Sequence, residues 1–203
     1  MPDTIPNGRT AAFIAAADTR PHPYPILIAV MFHAGLRVGE LLTLAWCDLI
    51  QENQPLGALR IEAANTKSNR QRIVPINRAL AARLRDTWNA VARPAGFTPG
   101  HYLAAAKPNG RPVTVRTIER HVQTAARKAG IPAVTPHTLR HTFATRLLAV
   151  SNLELVRKAL GHSRVSTTQI YVHPTTEELA SAVALAGDTF LKESHEAARN
   201  PLP

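Results

Sequence analysis

Every strand-like stretch of this chain falls between residues 46 and 76, and that confinement limits the fold more than any other feature of the sequence. Three short β-like runs, Trp46–Ile50, Ala58–Ala63 and Gln71–Ile76, are separated by turn-prone stretches at Glu52–Gly57 and Asn65–Asn69. They suit one small antiparallel sheet. On either side, apolar residues recur at helical spacing. Residues 9–18 place Phe13, Ile14 and Ala17 on one face. Residues 25–34 open with Pro25, which suits a first helical turn, and close at Gly35. A short helix from Val38 to about Ala45 follows. Helices are expected again over 78–91, 114–129, 137–149, 152–160 and 166–171, and from Thr176 to about Phe190. The expected fold is mainly α with a small antiparallel β-sheet, an α+β domain over residues 1–191, with a frayed tail over 192–203.

At 203 residues such a domain can bury a core without disulfide or metal staples. One cysteine, Cys47, excludes a disulfide framework and a Cys-based zinc site. No apolar run reaches the roughly 20 residues that span a bilayer, and Met1-Pro2-Asp3-Thr4 does not open a signal peptide. A soluble, cytoplasmic chain with no membrane partner is expected.

Charge narrows the function. The net charge is +10, yet residues 60–128 alone carry fourteen basic and three acidic side chains, a local excess of +11. A concentrated basic stretch in a globular domain is the footprint of a polyanion partner, usually nucleic acid; a solvated basic face is the alternative. Arginine outnumbers lysine 19 to 5, which suits bidentate phosphate contacts and also fits a plain compositional bias.

Three segments carry chemistry. In Thr135-Pro-His137-Thr-Leu-Arg140-His141, Thr135 caps a helix that Pro136 begins. Its free N–H groups attract anions, and His137 and Arg140, about 60° apart around the helix, add donors there. His141 reads as a packed or structural residue. In Leu160-Gly161-His162-Ser163, Gly161 ends a helix and leaves His162 at an exposed turn, with Tyr171 nine residues later. In His33-Ala-Gly35-Leu-Arg37-Val-Gly39-Glu40, Arg37 sits at a break between helices, with a salt bridge to Glu40 as its structural role.

In this order the three segments closely resemble the catalytic domain of the tyrosine recombinases, the phage-integrase family. The resemblance runs from about Arg9 to about Phe190. Arg37 matches the first family arginine, His137 and Arg140 the His-x-x-Arg box, His162 the Gly-His box, and Tyr171 the nucleophile. The family's hairpin lysine matches Lys67 in Asn65-Thr-Lys67-Ser-Asn69-Arg70-Gln-Arg72-Ile-Val-Pro75-Ile76, where Thr66 and Ser68 stand in place of the usual glycines. The family's separate N-terminal core-binding domain has no counterpart here, so the chain resembles an excised domain or a short member such as the fimbrial phase-variation recombinases.

The resemblance implies a site-specific DNA recombinase acting through a 3′-phosphotyrosyl intermediate, without metal, ATP or other cofactor. Arg37 and Arg140 would clamp the phosphate, His162 would add a hydrogen bond, and His137 would serve as base or relay for Tyr171. Lys67 would protonate the leaving 5′-oxygen, and Glu40 would orient Arg37 or its neighbours. Arg70, Arg72, Arg111, Arg116 and Arg120 are the expected contacts to the backbone of double-stranded DNA. The 176–190 helix, with Leu179, Val183 and Phe190 on its apolar face, would pass to a neighbour in a homo-tetramer on DNA, the free chain being a monomer. Two other readings are a topoisomerase-like enzyme, which needs no synaptic tetramer, and a DNA-binding regulator that keeps the fold without the activity.

Overall fold

The computed structural model describes residues 4–62, 71–161 and 176–199, with side chains to Asp188. Eight helices appear among them: α1 (Thr10–Asp18), α2 (Tyr24–Ala34), α3 (Val38–Thr43), α4 (Arg78–Thr87), α5 (Val115–Lys128), α6 (Pro136–Ala149), α7 (Leu153–Leu160) and α8 (Thr176–Arg199). Four short strands join them: β1 (Ile50–Gln51), β2 (Gln54–Pro55), β3 (Ala58–Ile61) and β4 (Arg72–Pro75).

The centre of the molecule is α2. Its sequence, Tyr-Pro-Ile-Leu-Ile-Ala-Val-Met-Phe-His-Ala, is apolar almost all round, and a helix of that kind is stable only when surrounded. Every residue except Pro25 is buried. α1, α4, α5 and α6 pack around it. α5 shows the complementary pattern: Ile118, Val122, Ala125 and Ala126 face the core while Arg116, Arg120 and Arg127 stay exposed.

The strand region differs from expectation. The run at Trp46–Ile50 is not a strand over most of its length, because Trp46–Asp48 forms a 3₁₀ turn. The Asp48 carboxylate accepts the Ala45 N–H at 2.8 Å and closes that turn, a local hydrogen bond that competes with sheet pairing. The remaining strands make two separate antiparallel hairpins, β1 with β2 and β3 with β4, rather than one sheet. In the second, Ala58 faces Pro75, Leu59 faces Val74, Arg60 faces Ile73 and Ile61 faces Arg72.

Two helix ends also depart from the pattern. α4 does not continue regularly to residue 91: Trp88–Ala92 widens into a π-turn. The wider turn leaves Val91 exposed and brings Ala92 into the core beside Trp88. α8 runs to Arg199, past the Lys192 where the pattern suggested fraying. Its Leu179, Ala182 and Val183 are buried within this chain, against a surface contributed by α1, α4, α6 and β4. Gly187 sits on the Asn77 side chain, where a Cβ would lie 2.8 Å from the amide carbon.

Candidate active site

The site begins where α2 stops. Gly35 takes a left-handed conformation (φ 63°) that reverses the chain, and the Phe143 ring fills the space a side chain at 35 would need. Arg37, in an extended conformation, then caps α3. Glu40, three residues on, accepts the Arg37 N–H with Oε2 at 2.8 Å and faces Arg37 Nη1 with Oε1 at 3.2 Å. The Arg37 side chain remains 30% exposed while Glu40 is buried. The orienting role expected for Glu40 matches this geometry.

Arg72 corrects the sequence reading. It was expected on the DNA-facing surface, yet its side chain is only 4% exposed. It donates from Nη1 and Nη2 to the two Glu40 oxygens at 2.9 and 2.7 Å, and from Nε to the Ala159 carbonyl at 2.9 Å. The cause is strand alternation: in β4, Arg72 shares its face with buried Val74, while Ile73 points to solvent. That period was legible in the sequence, where the local charge excess outweighed it.

Arg140 comes in from α6. Thr135 caps this helix, its hydroxyl accepting the Thr138 N–H at 3.2 Å, and Pro136 occupies the first turn. One turn in, Arg140 donates to the Gly35 carbonyl at 2.5 Å and to the Leu160 carbonyl at 2.8 Å. Arg72 and Arg140 thus take two successive carbonyls at the end of α7, groups that have no partner within the helix and lie at the negative end of its dipole. Gly161 then ends α7 in a left-handed turn (φ 68°).

Burial, followed by repulsion from Arg37 and Arg72, lowers the Arg140 pKa to about 10, with Glu40 acting in the opposite sense. Burial raises the Glu40 pKa, but hydrogen bonding and charge from Arg72, the Arg37 N–H and the charge of Arg140 hold it below the ordinary carboxylate value. Three guanidiniums therefore surround one carboxylate. The local balance is positive, and the partly open member is Arg37. Fixed positive charge backed by buried protein suits an anion, because low surrounding polarity strengthens each donor.

His137 is exposed in the first turn of α6, whereas Arg140 is buried, so the two diverge more than their spacing suggested. His141 is exposed too, with its ring 6.3 Å from that of His137, so of the packed or structural roles expected for it the packed one does not hold. Arg111, Arg116 and Arg120 are exposed, the last two one turn apart on α5. Lys67, Arg70, His162 and Tyr171, with the helix expected over 166–171, lie outside the described residues. Among the described residues, no group of three or more His, Cys, Asp or Glu side chains could hold a metal ion. No helix among them is long and apolar enough to cross a membrane.

A mainly helical domain with small antiparallel hairpins and a buried arginine–glutamate cluster at the junction of α3, α6 and α7 is the class that this fold and site define. Comparison with known proteins gives the family: residues 7–178 match the phage integrase family, and the chain belongs to it. It is 34% identical over 160 residues to the tyrosine recombinase XerD of Rhizobium meliloti, covering 77% of this chain and 49% of that protein. It is 32% identical over 162 residues to the tyrosine recombinase XerA of Pyrococcus furiosus, covering 79% and 54%. The chain thus spans about half the length of the curated relatives it matches. Among solved structures, a XerA recombinase superposes with a TM-score of 0.67 at 25% identity, over 100% of this chain and 65% of that one. The lambda integrase catalytic core superposes with a TM-score of 0.59 at 20% identity, over 79% and 95%. The fold is that of the tyrosine recombinase catalytic domain.

Proposed function

We propose that this chain is the strand-cleaving domain of a site-specific DNA recombinase. The observation that carries the reading is the cluster of Arg37, Arg72 and Arg140 around Glu40, with Arg37 opening to solvent. A phosphodiester in cleavage accumulates negative charge on its non-bridging oxygens, and fixed guanidiniums stabilise that charge without reorganisation. Arg37 and Arg140 are the clamp. Tyr171 attacks phosphorus, forming the phosphotyrosyl bond as the bond to the 5′-oxygen breaks. His137 takes or relays the tyrosine proton, which an unassisted phenol with a pKa near 10 holds at neutral pH. Lys67 gives a proton to the departing 5′-oxygen, and His162 donates a hydrogen bond to the phosphate. The phosphotyrosyl ester keeps the bond energy, so the 5′-hydroxyl can attack it and rejoin the strand without ATP.

Double-stranded DNA is the partner in this reading, held by exposed Arg111, Arg116 and Arg120 together with Arg70. Recombination needs four such domains, and the 176–190 segment is the proposed link between them. The free chain is a monomer whose α8 covers its own core. On DNA the same face would pass to a neighbour, replacing one set of contacts with an equivalent set, which is why such swaps cost little. Lambda integrase, which shares the fold at 20% identity, has been solved as a tetramer bound to a Holliday junction.

The test is a covalent adduct. Incubation with nicked duplexes of randomised core sequence should give an SDS-resistant protein–DNA complex, and Tyr171→Phe should abolish it while leaving duplex binding intact. A Tyr171→Phe variant that still forms the adduct would falsify the assignment. Wild-type protein that binds duplexes but forms no adduct would favour the non-enzymatic regulator.

A further inference from the structure

We propose that Arg72 is a positioning residue that keeps the Arg37 guanidinium available to the phosphate by satisfying Glu40 from the opposite side. The consequence for cleavage rests on the recombinase reading above; the geometry does not. Glu40 is a buried carboxylate with two claimants. Arg37 gives it one backbone N–H and one side-chain contact, at 2.8 and 3.2 Å. Arg72 gives it two shorter side-chain bonds, at 2.9 and 2.7 Å, one to each oxygen. An unpaired carboxylate at this depth would be costly, so whichever guanidinium is nearer is drawn onto it.

Arg72 cannot drift from this task. Its Nε is held by the Ala159 carbonyl at 2.9 Å. Gly161 lies against its other side, so that a Cβ there would come within 2.9 Å of Cδ and 3.2 Å of Nη1. One guanidinium therefore ties β4 to α3 and to the end of α7. Without it, Glu40 would complete its hydrogen bonds on Arg37 and pull the one partly exposed guanidinium of the cluster inward. A displacement of about 1 Å in such a group can cost about 10²-fold in rate.

The experiment uses the full chain with Arg72→Met and Arg72→Lys. Two quantities are read: single-turnover adduct formation on nicked duplexes at saturating protein, and hydrogen exchange of the Arg37 amide, which Glu40 Oε2 holds. Arg72→Met should slow adduct formation about 10²-fold, with duplex affinity and its salt dependence unchanged. Glu40, released from Arg72, should close on Arg37, so the Arg37 amide should exchange more slowly while the amides of α2 keep their protection. Arg72→Lys restores the charge but not the bidentate geometry, so it should partly reverse both changes; it also serves if Arg72→Met does not fold. Wild-type adduct formation in either variant, or unchanged Arg37 exchange, overturns the proposal. A lowered salt slope would return Arg72 to a phosphate contact. If wild-type protein forms no adduct, the recombinase reading fails by itself, and the Arg37 amide still decides whether Arg72 positions Glu40.

Discussion

Arg140 reaches from the second turn of α6 to donate to the carbonyl of Gly35, 105 residues earlier, at 2.5 Å. That bond ties the chain reversal before Arg37 to the helix bearing Arg140, the other arginine of the proposed clamp. The same guanidinium takes the Leu160 carbonyl. A catalytic candidate is therefore also a bolt between three segments.

The two arginines of the proposed clamp should consequently behave differently when removed. Arg37→Ala loses one preorganised donor, about 10²–10³ in cleavage rate, from a side chain that is partly exposed, so urea stability should change little. Arg140→Ala should lose comparable rate and also leave the Gly35 and Leu160 carbonyls unsatisfied, a cost of about 1–3 kcal/mol each. Single-turnover cleavage and urea unfolding, measured on both variants, separate these effects. Equal stability losses would contradict the assignment of the bolt to Arg140.

Duplex binding should be steeply salt-dependent, with each phosphate-contacting arginine contributing about 0.9 to the slope of log K against log salt. Replacing exposed Arg111, Arg116 and Arg120 in turn should flatten it stepwise. A slope that ignores all three would make the basic excess of residues 60–128 a solvated face.

Acid should weaken the fold through His33. Burial, with the nearby charges of Arg83 and Arg146, lowers its pKa from 6.5 to about 3. Between these values the unfolded chain takes up a proton that the folded chain refuses, so unfolding free energy falls as pH drops through that window and is fully retained above it. At roughly 1.4 kcal/mol per pH unit, the loss from pH 6.5 to 5 is about 2 kcal/mol. His22 and His121 shift in the same direction, so the informative quantity is the difference from His33→Gln. Urea midpoints at pH 7 and pH 5 should diverge less in that variant; an identical divergence would refute the account.

The apolar face of α8 should be part of the core of the free chain. Leu179 is 1% exposed, so Leu179→Ala should destabilise the isolated chain by about 2–5 kcal/mol. Removal of all residues after Val172 should do more, leaving α1, α4 and α6 uncovered. If the truncated chain unfolded at the same urea concentration as the intact one, α8 would be free to serve a neighbour at no cost.

Much of the fold was legible because its signals are local. Among the described residues, the confinement of the named strands to 46–76, the proline start and threonine cap of α6, and the glycine ends of α2 and α7 all follow from short-range sequence signals. Arg37, His137 and Arg140 stood out as candidates because each stands beside a helix end, where backbone groups already favour anions or leave the chain open. Where the pattern misled, a competing local bond won: Asp48 on Ala45 converted a strand into a turn, and the π-turn at Trp88 rotated Val91 outward.

The side of the protein on which each arginine would act was not local. Arg72 counts as one more positive charge in a basic stretch until β4 folds against α3 and α7, when Glu40 and Ala159 take all three kinds of its nitrogen. The apolar residues of α8 likewise announce burial but not whose core they bury. Sequence by itself determined which residues carry charge and which helices can form, because those depend on side-chain chemistry and short-range spacing. Only the tertiary structure decided which guanidinium faces outward and which holds the frame, because that depends on a buried carboxylate whose partners lie 3 and 32 residues away in the chain.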